Sequence, residues 1–147
     1  MRKISIIKTV IITDLRRALM KNYSRQREAI KEVLKTMKTH PTASAVYERV
    51  KEIYPRISLG TVYRNLSQLR ESGEILSLTV GDGFDHFDGD VSPHVHLHCG
   101  ECNRIIDLFI DGDPMVEQAR LAGFNARLGV HIVYGTCSDC KNKKSNN

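Results

Sequence analysis

Four cysteines form two pairs with the same spacing, and their chemistry is the clearest in this sequence. Each pair has the pattern Cys-x-x-Cys, so each turn presents two thiolates to one ion, and two turns supply the four sulfur ligands of a tetrahedral zinc site. A shell closed by four sulfurs leaves no open position, which predicts a structural site whose binding energy contributes to folding. A redox pair or two unrelated turns would fit either half of the pattern, but both pairs together favour zinc. The predicted ligands are Cys99, Cys102, Cys137 and Cys140.

Histidines and aspartates that precede or surround the first cysteine pair form a second candidate site. In His94-x-His96-x-His98, residues two apart share one face of a strand, so His94 and His96 project together towards one ion. Mixed imidazole and carboxylate ligands suit Fe(II), Mn(II), Co(II) or Zn(II) and match Cu(I) poorly. A lone histidine is usually structural, whereas several in strand register favour a metal site. His98 belongs either to this site or to the packing beside the cysteines. The neighbouring aspartates are Asp88, Asp90 and Asp107.

A helix that begins at Ser58 offers a surface for DNA. Its apolar stripe faces inwards, and its polar residues point the other way. Such a helix can enter a major groove, where Arg64 would pair bidentately with guanine and Tyr63 would contact a thymine methyl or a phosphate. An amphipathic surface helix without a partner has the same pattern. The candidate DNA-binding residues are Arg56, Ser58, Thr61, Tyr63, Arg64 and Arg70.

The charges of the chain divide between its two halves. Residues 1–73 contain sixteen Lys/Arg and six Asp/Glu, whereas residues 74–147 contain six Lys/Arg, eleven Asp/Glu and five of the six histidines. A basic half suits a polyanion and an acidic, His-rich half suits cations, although a solvated basic surface would look the same.

The longest apolar stretch, 4–12, is short, is interrupted by Lys8 and lacks a cleavage site. We therefore expect no membrane segment and a cytoplasmic protein, in which cysteines bind metal more often than they form disulfides.

The order of the elements predicts an α+β fold with two domains. Helices are predicted over 14–21, from a cap at Ser24, from a cap at Thr42 to Pro55 (a helix that carries Val46, Val50 and Ile53), and over 58–72. Strand-like segments 74–80 and 84–87 complete a winged helix. Further strands are expected at 94–98, 104–110 and 124–134, with a helix from Pro114 to Gly123 and a disordered tail after Cys140. The predicted units are a winged-helix DNA-binding domain at 1–88, with an extension at 1–13, and an α/β metal-binding dimerisation domain at 89–147.

The combination of these motifs resembles the ferric uptake regulator superfamily of bacterial repressors, over nearly the whole chain from Leu15 to Lys141. Within that superfamily, the sequence is most similar to the peroxide-sensing repressors, and Asp107 carries this distinction because iron-uptake regulators more often have Glu there. The matching segments are YSRQR (23–27), HPTA (40–43), SLGTVYRNL (58–66), HVHLHCGEC (94–102) and YGTCSDC (134–140).

The resemblance implies a regulatory site and a mechanism. Its ligands would be His40, Asp88, His94, His96 and Asp107, where Mn(II) or Fe(II) closes a homodimer onto double-stranded operator DNA. With Fe(II), peroxide would oxidise His40 or His94 and release the DNA. His40 lies in the DNA-binding half and three of the other ligands lie in the second half, so one ion would fix the angle between the two halves.

The sequence departs from the family pattern at two places. Asn103 follows the second cysteine where Gly is usual, and Gly129 stands where many relatives have a metal-binding His, with His131 the nearest replacement.

Three rival functions remain open at this stage. A regulator of the same fold that reports iron or zinc supply differs only through Asp107. A zinc-dependent enzyme acting on nucleic acid is disfavoured, because the closed sulfur shell leaves no catalytic position and the motifs of zinc deaminases are missing. A metal-storage or zinc-ribbon module would leave the basic helical half unexplained. We therefore expect a repressor and no enzyme.

Overall fold

The computed structural model describes residues 25–127 and 129–145. The predicted helix at 14–21, the cap at Ser24 and the extension at 1–13 lie outside these residues. Within them, no helix is both long enough and apolar enough to cross a membrane.

Three helices form the first part of the described chain. Helix α1 covers residues 25–36, α2 spans Ala43–Ile53 and α3 spans Leu59–Glu71. The side chain of Thr42 caps α2 by accepting from the Ala45 N–H, and Ser58 caps α3 by accepting from the Thr61 N–H. These caps satisfy backbone donors that lack partners inside the first turn of a helix.

The three helices bury one common apolar cluster, which also includes Phe87 from the hairpin described next. As predicted, α2 carries Val46, Val50 and Ile53, but Ile53 does not join the cluster and is 58% exposed. The helix ends at Ile53, and the next residue, Tyr54, packs against the cluster instead. The cluster comprises Ile30, Val33, Leu34, Ala43, Val46, Val50, Ile57, Val62, Leu66, Leu69, Ile75 and Phe87.

A two-stranded antiparallel hairpin follows α3 and completes the predicted winged helix. Strand β1 spans Leu76–Thr79 and β2 spans Asp85–Asp88, with Leu76 opposite Asp88 and Thr79 opposite Asp85. The strand predicted at 74–80 is shorter because the Glu74 N–H still bonds to the Leu69 carbonyl at the end of α3.

The second part of the chain is built on a three-stranded sheet in the order β4-β3-β5. Strands β3 (Val95–Cys99) and β4 (Ile105–Leu108) are antiparallel, and β5 (His131–Gly135) runs parallel to β3. Helix α4 (Pro114–Leu121) joins β4 to β5, with Asp113 as its N-cap and Pro114 at its first position as predicted.

Two predictions for this second part are wrong. The strand expected at 124–134 is confined to β5. All five residues of β3 already pair with the five residues of β5, so β3 offers no partner for a longer strand. The residues after Cys140 were expected to form a disordered tail, but they belong to helix α5 (Ser138–Ser145). The helix begins at the second cysteine turn, where the Lys141 N–H bonds to the Cys137 carbonyl. Asp139 in its first turn forms an ion pair with Arg104 at 2.8 Å.

The predicted α+β fold with an N-terminal winged helix is confirmed. A small buried cluster joins the hairpin to the sheet, since Leu78 and Val80 pack with Ile105 and the partly buried Ile132. The division into domains at 88/89 stays a prediction.

Candidate metal centres and DNA-binding surface

Five predicted ligands from four parts of the fold come together at one point, and we call them the regulatory cluster. One nitrogen or oxygen atom of each lies within 4.8 Å of all the others. His40 lies between α1 and α2, Asp88 ends β2, His96 is in β3 with His94 just before it, and Asp107 is in β4. The register of β3 and β4 places His96 opposite Asp107. The members are His40, Asp88, His94, His96 and Asp107.

The two carboxylates of the cluster each face all three imidazoles. The Nε2 atom of His40 lies 2.8 Å from Asp107 Oδ1 and 3.8 Å from Asp88 Oδ2. His94 Nε2 lies 3.0 Å from Asp88 Oδ2 and 3.5 Å from Asp107 Oδ1. The corresponding distances from His96 Nε2 are 3.3 and 3.8 Å. All three histidines therefore present the same ring nitrogen to a shared centre.

Hydrogen bonds outside the cluster prepare two of these side chains for a cation. His94 Nδ1 lies 2.7 Å from the carbonyl oxygen of Ser92. A carbonyl only accepts, so Nδ1 carries the proton and Nε2 keeps a lone pair directed at the centre. Asp88 Oδ1 accepts from the Asp90 N–H at 2.8 Å, which leaves Oδ2 to face the imidazoles.

The donor set fits a divalent cation. His40, His94 and His96 are 2%, 3% and 0% exposed. His40 Nε2 and Asp107 Oδ1 are close, yet they are not aligned for a hydrogen bond, and both are buried without another partner. Buried polar atoms normally have partners, and convergence without mutual bonding is the arrangement that an ion between them satisfies. Three imidazoles and two carboxylates match Fe(II) or Mn(II).

Burial and the neighbouring charges shift the pKa values of two members in ways that suit a ligand. Burial is the main reason that the pKa of His40 is lowered, against the attraction of Asp107 and Asp88, so its ring stays neutral. For Asp88, burial works to raise the pKa, but the hydrogen bonds from His96 and the Asp90 N–H, together with His40 and His94, lower it overall. Neutral imidazole and ionised carboxylate are the forms that bind metals.

The four cysteines form a second group, the sulfur cluster, with all sulfur atoms within 4.8 Å of one another. All four, which lie within the described residues, are free thiols. Cys102 Sγ and Cys137 Sγ are 3.8 Å apart. This is far beyond a disulfide bond of about 2.05 Å, and it matches the edge of about 3.8 Å of a tetrahedron whose centre is about 2.3 Å from each sulfur. The spacing favours zinc over the redox-pair alternative.

Backbone groups in the two cysteine turns favour thiolates. The N–H groups of Cys137, Cys102 and Glu101 lower the pKa of the Cys99 thiol to about 6. Cys140 shows the opposite effect: hydrogen bonding with Cys137, burial and the other sulfurs raise its pKa to about 12. Four sulfurs this close hold fewer than four negative charges unless a cation joins them. Asn103 follows the first turn with a φ of 56°, a conformation that Asn adopts more readily than most residues, which explains why it replaces the usual Gly.

His98 and His131 belong to neither cluster in the described part of the chain. His98 is buried and meets the Tyr134 ring edge-on, with ring centroids 5.5 Å apart. His131 Nδ1 lies 3.1 Å from the Asp113 carboxylate that caps α4. Of the two readings left open for His98, the structure supports packing near the cysteines.

The predicted DNA-binding residues lie on and beside α3. Arg56, Ser58, Tyr63, Arg64 and Arg70 are exposed, and Thr61 is partly exposed. The hydroxyl of Ser58 is also engaged in capping the helix. Tyr63, Arg64 and Arg70 are exposed residues of α3, whereas its Val62, Leu66 and Leu69 are buried. Their contact with DNA stays a prediction.

Sequence reasoning missed three features beside these sites. Asn65 is fully buried, and its amide donates to the Thr61 carbonyl within α3. His86 lies between the hairpin turn and His40. Large apolar residues are exposed on α4 and after it, with Met115, Leu121 and Phe124 about 70% exposed. The repeated apolar residues of the short helix α4 were the sequence signal that could have predicted this exposed apolar surface.

Comparison with known proteins agrees with this geometry. The family model of the ferric uptake regulator family matches residues 19–134, which include helix α3, the regulatory cluster and all but the last residue of β5. The chain belongs to the ferric uptake regulator family. Among its relatives in this family, the peroxide operon regulator of Bacillus subtilis is 38% identical over 122 residues, covering 82% of this chain and 84% of the relative. A peroxide-responsive repressor of Staphylococcus epidermidis is 33% identical, covering 88% and 87%.

A solved structure within the family has the same fold. The peroxide stress regulator of Campylobacter jejuni superposes with a TM-score of 0.73 at 27% identity, covering 88% of this chain and 98% of the other. The predicted resemblance to the peroxide-responsive branch is therefore confirmed at the level of its relatives.

Proposed function

We propose that this chain is a metal-dependent transcriptional repressor of the cytoplasm that binds operator DNA as a homodimer and is released by peroxide. The observation that carries the proposal is the regulatory cluster, in which His40 from the helical half meets Asp107, His94 and His96 from the sheet half. The names of the relatives from Bacillus and Staphylococcus support the peroxide response.

An ion in the regulatory cluster would act on the arrangement of the two halves. His40 lies three residues before Ala43, the first residue of α2, and α2 packs against α3, so the position of the His40 ring is linked to that of the recognition helix. An ion that binds the closed arrangement more tightly than an open one shifts the population towards it. In a dimer, that shift sets the distance between two recognition helices.

The ligands would be the targets of peroxide. Fe(II) held by these ligands would supply the reducing chemistry needed to cleave the O–O bond of hydrogen peroxide, which Mn(II) would supply much less readily. In the net reaction, a ring C–H of His40 or His94 becomes C–OH, and the second peroxide oxygen leaves as water. Both rings are buried within the ligand set, so they would be closer than solvent to any oxidation that takes place there. An oxidised ring is a poorer ligand, and the closed arrangement loses its support.

The sulfur cluster would be the structural zinc site. It ties Cys99 and Cys102 at the end of β3 to Cys137 and Cys140 around the start of α5, so that β5 is held beside β3. A zinc ion with four thiolates has no open coordination position, and we therefore assign it no catalytic role.

The exposed apolar residues of the second half would form the dimer interface. Large side chains of α4, β5 and the segments beside them are exposed to an extent unusual for a single chain. A second copy of the chain would cover them. They include Leu108, Phe109, Met115, Leu121, Phe124, Val133 and Tyr134.

Metal-dependent DNA binding tests this proposal directly. Fluorescence anisotropy of a duplex selected from a random pool by the Mn(II)-loaded protein would be compared with that of a scrambled duplex, at fixed salt, with and without Mn(II). We expect Mn(II) to tighten binding to the selected duplex by at least about tenfold, within the range of ordinary allosteric coupling. Equal binding with and without Mn(II) would contradict metal-dependent repression. A response to metal but not to peroxide would leave the alternative, a regulator of iron or zinc supply.

A further inference from the structure

His86 connects the turn of the β1–β2 hairpin to the backbone of His40. Its Nδ1 atom lies 2.8 Å from the carbonyl oxygen of His40, and its Nε2 atom lies 2.9 Å from Asp82 Oδ2. Both ring nitrogens thus face oxygen atoms that accept hydrogen bonds. We call this arrangement of Asp82, His86 and the His40 carbonyl the wing bridge.

The wing bridge lies where the segment before α2 runs alongside β2. The Phe87 N–H bonds to the Pro41 carbonyl at 3.0 Å, and Thr42 forms an isolated antiparallel bridge with His86. Thr42 is also the N-cap of α2. The same three residues, 40–42, therefore touch the hairpin, begin a helix of the DNA-binding half and carry one member of the regulatory cluster.

The backbone of His40 needs outside contacts to keep its conformation. Its φ is 50°, in the left-handed region that residues with a Cβ rarely adopt. His40 is 2% exposed, so its carbonyl requires an internal partner, and His86 provides one. Because the side chain starts from this backbone, fixing the carbonyl constrains the position of the Cβ atom from which the ring reaches Asp107.

We propose that His86, held in place by Asp82, is a positioning residue for His40 and links the hairpin to the regulatory cluster. The inference rests on the proposed function, because it assigns His86 to the support of a ligand at the regulatory site. Ligand histidines depend on groups that orient them, and losing such a group typically weakens metal binding by about 10–100-fold. The linkage is reciprocal: a hairpin fixed on DNA would favour the His40 position that binds metal.

Asp82 contributes by holding the ring of His86 in one orientation. Its other oxygen, Oδ1, accepts from the Phe84 N–H at 3.1 Å, which anchors the carboxylate in the hairpin turn. The hydrogen bond with His86 is the main reason that the pKa of Asp82 lies below its usual range. Asp85 offers a matched control, because its carboxylate accepts from Thr79 Oγ1 at 3.1 Å inside the hairpin.

The test compares metal binding with folding in the full-length, zinc-loaded protein. Mn(II) affinity would be measured by competition with a calibrated chelator, the ligand set by the visible spectrum of bound Co(II), and folding by the midpoint of thermal unfolding. The variants are His86→Phe, Asp82→Ala, the control Asp85→Ala, His40→Ala, and His86→Phe combined with His40→Ala.

We expect His86→Phe to weaken Mn(II) binding by about 10–100-fold and to shift the Co(II) spectrum towards that of His40→Ala. Asp82→Ala should weaken binding in the same direction, whereas Asp85→Ala should match the parent protein. In the double variant, His86→Phe should add no further loss, because it acts through His40. Asp82→Ala leaves the His86 ring in place, so it tests the inference even if His86→Phe does not fold.

Two results would overturn the inference while leaving the proposed function intact. One is that the His86 and Asp82 variants unfold at a lower temperature but bind Mn(II) and Co(II) as the parent does, which would make the wing bridge a brace for the hairpin only. The other is an additive loss in the double variant, which would show that His86 acts independently of His40. A parent protein with no Mn(II) site at all would instead overturn the proposed function and this inference with it.

Discussion

The Nε2 atom of His40 and the Oδ1 atom of Asp107 are 2.8 Å apart, although one residue precedes a helix of the helical half and the other lies in a strand of the sheet half. Neither atom has a hydrogen-bond partner, and both are buried. A cation bound by both atoms would join the two halves and satisfy both of them.

Removing one ligand should abolish the metal response without unfolding the chain. His94→Ala deletes an imidazole that is 3% exposed and leaves the sulfur cluster intact, so we expect a folded, zinc-containing dimer. Its Mn(II) affinity should fall further than it does when a residue that only supports a ligand is lost, which is typically about 10–100-fold. Isothermal titration with Mn(II) measures this loss.

The matched control is His98→Leu, two residues along the same strand. His98 is buried with both ring nitrogens unpartnered and belongs to neither cluster of the described residues, so an apolar side chain should be tolerated. Equal weakening of Mn(II) binding by both variants would contradict the assignment of His94 as a ligand.

Breaking the sulfur cluster should damage the fold rather than the metal response. Cys99 is 3% exposed and its sulfur accepts from the Cys137 N–H at 3.3 Å. We expect Cys99→Ser to lose zinc and to become monomeric or unfolded, since zinc binding contributes to folding. Zinc content and size-exclusion chromatography report the two effects. A stable Cys99→Ser dimer with a full zinc complement would show that the site is not structural, and Ser138→Ala controls for a change in the same turn.

If α3 contacts DNA as proposed, Arg64 should contribute to the preference for operator over random DNA. Arg64 is exposed on the outer side of α3. If it pairs with a guanine, Arg64→Ala should reduce the preference for operator over random DNA by about 1–3 kcal/mol. Titrations of both duplexes at one salt concentration give this difference, with Arg120→Ala as a control of equal charge on α4. Equal weakening on both duplexes would make Arg64 a phosphate contact.

Gly89, next to Asp88, lies close to the backbone of α1, and this contact leaves no room for a larger residue. A Cβ added to Gly89 would lie 2.9 Å from the Lys35 backbone nitrogen and 3.0 Å from the Leu34 carbonyl carbon, so α1 would have to move. We expect Gly89→Ala to lower the free energy of unfolding by about 1–3 kcal/mol, the usual cost of overpacking. Denaturant unfolding measures it. Gly129→Ala meets nothing within 4 Å and should have little effect; similar costs for the two variants would mean that the contact with α1 is unimportant.

Much of the fold was predictable because local signals agreed with the tertiary structure. Thr42, Ser58 and Asp113 cap helices where the sequence places them, and His96 lies in a strand, β3, as predicted. The strand at 124–134 was overestimated because its length depends on β3, which is far away in sequence. The helical tail was missed because a Lys- and Asn-rich composition resembles disorder, whereas the cysteine turn starts the helix.

The residues of both clusters were predicted from spacing and family resemblance, and the structure brings each set together. The role of His86 was not predictable in the same way. Its partners are the carbonyl of His40 and the carboxylate of Asp82. A contact with a backbone carbonyl cannot be inferred from residue types, and a histidine within a β-strand such as β2 is otherwise ordinary.

Peroxide treatment of the Fe(II)-loaded protein is the most direct test of the central claim. DNA binding would be measured before and after brief exposure and again after fresh metal is added, and peptides containing His40 and His94 would be analysed by mass spectrometry, with the Mn(II)-loaded protein as control. We predict loss of binding that metal does not restore, one added oxygen on His40 or His94, and neither change with Mn(II). Binding that survives peroxide, or returns with fresh metal while both histidines remain unmodified, would contradict the account and indicate a regulator of metal supply.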